Sequence, residues 1–238
     1  MFLVKKHLHG GTLINMRNKA ILLYLIIGLA VAPAFGKGHV VTLGKPLPVK
    51  WFVGPTEDKV QPMKVRGLYV DGKLKEFTTG DPHDVTDQLF VIRRSFRLND
   101  ALPAESQKPP QWRWQRGGWL LVDRSTGHIT QLKLPEFDPF YSVASWYRDY
   151  VAYCGISEDG EKAYAVVTEL GRKKPTVRKE LGPASQSDIP DSECPAPEWA
   201  RQPARVTFQP RKGEKMTFTV RGHAADLSTS ADQNDKDE

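Results

Sequence analysis

The chain has 238 residues, of which 39% are hydrophobic and 26% charged, a composition typical of a folded globular protein and not of a disordered one. Its formal net charge is +6, but residues 1–34 hold four of the positive charges and no acid, so the remainder carries only +2. No segment shows a basic stripe, and we expect no nucleic-acid partner. A salt-sensitive attraction to anionic envelope polymers or lipid headgroups stays open.

The N-terminal segment has the pattern of a signal peptide. After a basic start, an apolar run covers residues 20–32, which is shorter than the roughly 20 residues that a bilayer core requires. An Ala-Pro-Ala sequence ends at Ala34, so we predict a signal peptide over residues 1–34 that is cleaved after Ala34. Translation from Met16 instead of Met1, or an uncleaved anchor, are the alternatives. We expect export to the periplasm or the secreted space, with no stable membrane span after cleavage.

Short alternating strands closed by glycine turns recur along the rest of the chain, and helical periodicity is hard to find. In chain order the turns fall at Asp71-Gly72, Gly127, Asp159-Gly160, Gly171 and Gly213. They predict an all-β fold of antiparallel hairpins, arranged as a sandwich or a partly open barrel. We expect a single domain over residues 35–223. Residues 224–238 carry five acids and one lysine, and we predict that they form a disordered acidic tail.

A second arrangement of the strands is suggested by their spacing. Four short strands fit between Tyr141 and Leu181, and the stretch from Leu89 to Leu134 fits the same outline with a longer internal loop. Over residues 85–182 the chain therefore resembles β-propeller blades, and the turn DRSTGHI is similar to those that close many blades. The resemblance implies a small propeller-like array as the alternative fold. It implies no function.

Two cysteines, Cys154 and Cys194, lie far apart in the sequence. In an oxidising compartment such a pair predicts a disulfide, here closing a loop of about 40 residues that stabilises the fold by roughly 3–4 kcal/mol less any strain. A catalytic thiol would need a histidine partner, and an exported free thiol would tend to oxidise. A zinc site would need closely spaced ligand pairs, which the sequence lacks.

The stretch WRWQRGGW holds three of the six tryptophans. Strand alternation places Trp112, Trp114 and Arg116 on one face and Arg113 on the other, and the two glycines allow a bulge or bend. Apolar residues on both faces of the following stretch predict that Trp119 is core.

Trp112, Arg113 and Trp114 are the candidate binding residues. Two rings at one strand edge with arginines nearby could stack on a sugar or on a proline-rich peptide. The alternative is that the rings cover the end of the hydrophobic core.

A second candidate site is the segment GDPHDVTD. Asp81, His83 and Asp84 could form the acid–base or metal site of a hydrolase, because a histidine between carboxylates can accept a proton or bind a metal. The same residue types also serve as ordinary turn and capping residues.

Known catalytic motifs are missing from the sequence. It contains no serine nucleophile elbow, zinc-protease helix motif, phosphate loop or dinucleotide fingerprint. We therefore expect no cofactor and no resident metal, and a non-enzymatic binding or interaction module of the cell envelope or secreted space. Its ligand is an unknown envelope or extracellular molecule, with a sugar or a peptide as candidates. A hydrolase and a structural envelope component that oligomerises through open sheet edges are the alternatives.

Overall fold

The computed structural model describes residues 38–53, 60–99, 112–184, 193–211, 213–222 and 224–227. The signal peptide and cleavage site predicted above lie outside these residues. The described strands all belong to one compact unit, which spans residues 39–238. Within the described ranges, no helix is long and apolar enough to cross a membrane.

The described part of the chain consists of strands and connecting turns, without a helix. The strands are β1 (Val41–Leu43), β2 (Leu47–Phe52), β3 (Val60–Val70), β4 (Lys73–Asp84), β5 (Leu89–Asn99), β6 (Trp112–Asp123), β7 (Ile129–Gln131), β8 (Ser145–Tyr147), β9 (Tyr150–Ile156), β10 (Lys162–Glu169), β11 (Val177–Pro183), β12 (Glu198–Arg201), β13 (Ala204–Phe208), β14 (Met216–Arg221) and β15 (Ala224–Leu227).

The first seven strands form one sheet that is partly ring-like. Strands β2 to β6 pair in the circular order β2–β3–β4–β5–β6, and the path returns to β2 through a single parallel pair between Trp51 and Trp114. The other pairings around the ring are antiparallel. Strand β1 adds to β3, and β7 adds to β6.

The two faces of this sheet hold separate apolar clusters, as expected for strands whose side chains alternate. The cluster inside the ring draws side chains from β2, β3, β4 and β6, among them Trp51, Met63, Phe77 and Trp114. The cluster on the other face joins β3, β5 and β6 beneath β1 and β7. Closing the strands into a ring leaves few free sheet edges.

The remaining strands form two four-stranded antiparallel sheets, β8–β11 and β12–β15. One buried cluster takes side chains from both sheets, so the two sheets pack face to face. Cys154 and Cys194 belong to this cluster, with Cα atoms 6.0 Å apart. The two cysteines therefore lie at disulfide distance, as the sequence predicts.

The all-β fold of antiparallel hairpins is confirmed, and every predicted glycine turn joins two strands. The four strands predicted between Tyr141 and Leu181 are β8 to β11. The stretch before them does not form a similar unit, because β6 runs unbroken through a bulge at Gly117-Gly118 opposite Arg94. Strands β5, β6 and β7 are consequently part of the ring-like sheet.

The C-terminal boundary also differs from the prediction. Strand β15 pairs with β14 over residues 224–227, so the sheet continues four residues past the predicted start of the acidic tail. The edge of β14 offers backbone hydrogen-bonding groups, and the backbone of Ala224–Leu227 pairs with them. Residues 228–238 lie outside the described part of the chain.

Candidate functional site

The end of strand β6 carries the first two tryptophans of WRWQRGGW. Trp112 pairs with Asn99 and Trp114 with Arg97 in the β5–β6 ladder, so both rings stand on the same face. Trp114 packs edge-on against Phe77, with ring centroids 5.1 Å apart, and joins the cluster inside the ring. Trp112 lies one pleat further out and is 55% exposed. Trp114 is thus half-buried against the core, and its neighbour Trp112 lies at the surface.

Arg97 lies among these aromatic rings. Its guanidinium carbon is 5.4 Å from the ring centroid of Trp112, 5.4 Å from that of Trp114 and 5.7 Å from that of Phe77. Distances of this order are typical of cation–π contacts. In the described part of the chain, no carboxylate pairs with Arg97 and no hydrogen bond occupies its guanidinium.

A cleft of about 320 Å³ opens beside Arg97 and Trp112. It forms because β4 and β5 diverge: their last paired residues at this end are Phe77 and Ser95, and the preceding residues of β4 pair only with β3. The residues that line the cleft are Leu74, Lys75, Glu76, Phe77, Arg94, Ser95, Phe96, Arg97 and Trp112.

The charges of the cleft are unequal. Arg94 and Glu76 form an ion pair, with 3.0 Å between Nε and Oε2, and so offset each other. Lys75 and Arg97 are both exposed, and no carboxylate in the described part of the chain pairs with either. The cleft therefore combines an aromatic face with two positive charges. This arrangement suits an anionic ligand that also has a ring or an apolar face.

Arg113, the third predicted binding residue, lies on the opposite face of β6. Its guanidinium carbon is 4.7 Å from the ring centroid of Phe52 on β2. The structure thus separates Arg113 from the two tryptophan rings, and its role in binding stays a prediction. Arg97 is the cation that joins the rings, and sequence reasoning missed it because the register between β5 and β6 cannot be read from the sequence.

Trp119 is core, as the alternation predicts. It is 8% exposed and packs edge-on against Trp146, with ring centroids 5.2 Å apart. Among the residues that the structure describes, neither indole N–H has a hydrogen-bond acceptor. The two rings therefore contribute apolar packing between the ring-like sheet and strand β8.

The predicted hydrolase residues each have a different partner. The Asp81 carboxylate binds Arg66 at 2.7 Å, and the Asp84 carboxylate binds Arg124 at 2.6 Å. His83 forms a 2.8 Å hydrogen bond through Nε2 to the carbonyl oxygen of Arg148, and its ring stacks on that of Trp146.

Within the described ranges, Asp81, His83 and Asp84 do not converge on one site, because each is held by a different partner. In the ranges that the structure describes, no group of three or more histidine, cysteine, aspartate or glutamate side chains could hold a metal. Because a carbonyl oxygen only accepts, His83 donates its Nε2 proton to Arg148. A catalytic role for Asp81, His83 and Asp84 stays a prediction.

A larger pocket, of about 480 Å³, is lined by all five strands of the ring and by Val143 and Ala144. Two arginines in its wall hold the segment before β8 in place. Arg93 donates to the carbonyl oxygens of Gly117 and Pro139, and Arg116 donates to that of Phe140 while its guanidinium carbon lies 3.6 Å from the Trp51 ring centroid. These hydrogen bonds give both arginines a structural role.

The chain has no match among the models of known protein families, and comparison with curated proteins finds no similar sequence. No relative therefore assigns a role to Trp112 or Arg97.

Proposed function

We propose that this protein is an exported, non-enzymatic binding module of the cell envelope or secreted space, and that it binds a carbohydrate at the cleft beside Trp112. One observation carries the proposal: an indole ring that is 55% exposed stands over a cleft in which an arginine is already stacked. A large exposed aromatic side chain indicates a binding surface, whereas single exposed leucines are common on protein surfaces.

The surroundings of Trp112 support a binding surface. The large apolar side chains with high exposure in the described part are Val40, Leu47, Leu74, Leu98 and Trp112. The last three lie at the same end of strands β4, β5 and β6. Leu74 and Trp112 line the cleft and extend its aromatic face into an apolar patch of the kind that marks ligand sites. Leu98 pairs with Arg113 and so lies on the opposite face of the sheet.

A sugar fits this surface better than a peptide does. On the side of β6 that faces β5, the backbone is already paired from Trp112 to Asp123, so an extended peptide finds no free ladder groups along that edge. A sugar ring needs only a flat apolar face and polar donors around its rim, and Trp112 and Arg97 supply these.

Two features support export. The cysteines lie at disulfide distance, which is typical of proteins in an oxidising compartment. The N-terminal sequence also has the pattern of a signal peptide. N-terminal sequencing of protein recovered outside the cytoplasm would test this part of the proposal: we expect Phe35 as the first residue, and a chain that still begins at Met1 or Met16 would contradict it.

Affinity electrophoresis through gels that contain hydroxyethyl cellulose or polygalacturonate tests carbohydrate binding. We expect at least one polysaccharide to retard the wild-type protein, and Trp112→Ala to abolish the retardation. Leu47→Ala is the matched control, because Leu47 is 65% exposed on β2 and does not line the cleft. Equal retardation of Trp112→Ala and wild type, or no retardation on either polysaccharide, would refute the proposal.

A further inference from the structure

We infer that the ligand is an acidic sugar chain, with a uronate carboxylate held between Arg97 and Lys75 while the sugar ring stacks on Trp112. This inference rests on the proposed carbohydrate-binding function and names its ligand class. Three properties of the cleft lead to it.

The first property is the state of Arg97. A guanidinium has five N–H donors in a planar fork that matches a carboxylate in a two-point geometry. Contacts with three aromatic rings already fix the position of this one. The side chain is exposed, and no acceptor in the described residues occupies its donors. Binding therefore costs little of the rotamer entropy that an arginine normally loses.

The second property is the charge of the cleft. Glu76 offsets Arg94, whereas Lys75 and Arg97 lack a carboxylate partner in the part of the chain that the structure describes. A neutral sugar would give neither Lys75 nor Arg97 an opposite charge to pair with. A carboxylate would gain charge-assisted hydrogen bonds, which are roughly twice as strong as neutral ones.

The third property is size combined with shape. A volume of about 320 Å³ is at the small end of ligand sites and accommodates only one or two sugar units. A longer chain would continue across the exposed Leu74 and Trp112 side chains. The planar carboxylate of a uronate fits the fork of Arg97, and the C–H face of its sugar ring fits the face of Trp112.

Titration calorimetry with three probes tests the inference: trigalacturonate, its fully methyl-esterified form and triglutamate. The ester keeps the sugar rings and removes the charges, and the peptide keeps the charges and removes the rings. We expect trigalacturonate to bind about tenfold more tightly than the ester, and triglutamate to bind more weakly than both. The advantage of the acid over the ester should shrink when salt rises from 0.05 to 0.5 M, because the charges are exposed.

Variants separate charge recognition from stacking. Arg97→Met keeps an apolar stem on the aromatic rings, and we expect it to bind the acid no better than the ester. Lys75→Gln, at an exposed position, should reduce the preference several-fold and provides the test if Arg97→Met unfolds. Lys179→Gln removes an exposed charge on β11, outside the cleft, and should bind as the wild type does.

Failure of the inference and failure of the proposed function give different results. Equal binding of acid and ester would overturn the inference and leave the carbohydrate function standing. Tighter binding of triglutamate than of trigalacturonate would overturn the inference in favour of an acidic peptide. If neither sugar probe binds with a Kd below about 1 mM, the inference fails. The carbohydrate function fails with it only if hydroxyethyl cellulose also does not retard the protein.

Discussion

Arg97 and Trp114 lie directly opposite each other in the β5–β6 ladder, with the guanidinium carbon 5.4 Å from the indole centroid. The tryptophan is half-buried and packs against the cluster inside the ring, whereas the arginine is exposed. A side chain anchored on the core thus contacts a charged group at the surface. Specific binding requires that the side chains that contact the ligand are held in position by packing against a rigid core.

The exposed and buried tryptophans should respond differently to truncation. Trp112→Ala should lower the free energy of unfolding by less than about 1 kcal/mol, because it removes mainly an exposed cation–π contact. Trp119→Ala should lower it by about 3–5 kcal/mol, because it opens a cavity in the core. Urea denaturation of both variants measures the difference. Similar losses would mean that Trp112 is structural and would weaken its assignment as a binding residue.

The cysteine pair should stabilise the fold. Reduction of Cys154–Cys194 should remove roughly 3–4 kcal/mol of stability, since it restores the entropy of a loop spanning 40 residues in the unfolded chain. At roughly 2–4 °C per kcal/mol for a protein of this size, Tm should fall by about 6–16 °C. A Cys154→Ala/Cys194→Ala variant should melt at the lower Tm with or without reductant. An unchanged Tm for the reduced wild type would contradict the pairing.

Stability should depend on Asp123 at acid pH. Its carboxylate accepts hydrogen bonds from the Ser125 hydroxyl, first in importance, and from the backbone N–H groups of Ser125 and Thr126, which together lower its pKa to about 2. An unfolded aspartate has a pKa near 3.9. Between about pH 2 and pH 4 the folded chain therefore binds fewer protons at this carboxylate than the unfolded chain does. The contribution of this turn is therefore complete above about pH 4 and is lost as pH falls through about 2.

Asp123→Asn provides the comparison for that pH dependence. Denaturation of both proteins from pH 5 to pH 2 should show the stability advantage of the wild type shrinking toward the acid end. Parallel curves over the whole range would show that the carboxylate is not held ionised by the turn.

Gly155 on β9 should not tolerate a side chain. A Cβ atom there would lie 2.6 Å from the backbone carbonyl oxygen of Glu136, which accepts a hydrogen bond from the N–H of Ile156. Gly155→Ala should therefore cost about 1–3 kcal/mol of unfolding free energy. Gly118→Ala is the control, since its Cβ would meet nothing closer than 3.9 Å. Chemical denaturation compares them, and an equal cost for both would disprove the close approach.

His83 should contribute to stability through its contacts with the β8–β9 hairpin. His83→Ala should lower the free energy of unfolding by about 1–2 kcal/mol, because it removes the hydrogen bond to Arg148 and the stacked contact with Trp146. His83→Phe keeps a ring and should recover part of the loss. If thermal unfolding shows His83→Ala to be as stable as wild type, the histidine is free for another role and the hydrolase hypothesis gains weight.

The hairpins could be predicted from the sequence because their signals are local. Asp71-Gly72 adopts positive φ at both positions, 52° and 73°, as a tight two-residue turn requires. Alternation also separated the faces of β6 correctly and placed Trp119 in the core. Each of these inferences uses residues close together in the chain.

The ring and the cleft could not be predicted, because they depend on pairing between distant strands. The closing contact joins Trp51 to Trp114, and no local signal specifies that register. The position of Arg97 among three rings depends in the same way on which strands become neighbours. The sequence predicts a bulge or bend at Gly117-Gly118. It does not predict that β6 continues as one strand through the bulge.

The most direct measurement is the indole region of a proton–nitrogen correlation spectrum during titration with trigalacturonate. The six tryptophans give separate indole N–H signals, which single Trp→Phe variants assign. We expect the Trp112 signal to shift most and that of Trp114 to follow, while those of Trp119 and Trp146 stay in place. A Trp112 signal that does not move while others do, or a spectrum that does not change at all, would contradict a sugar-binding site at this cleft.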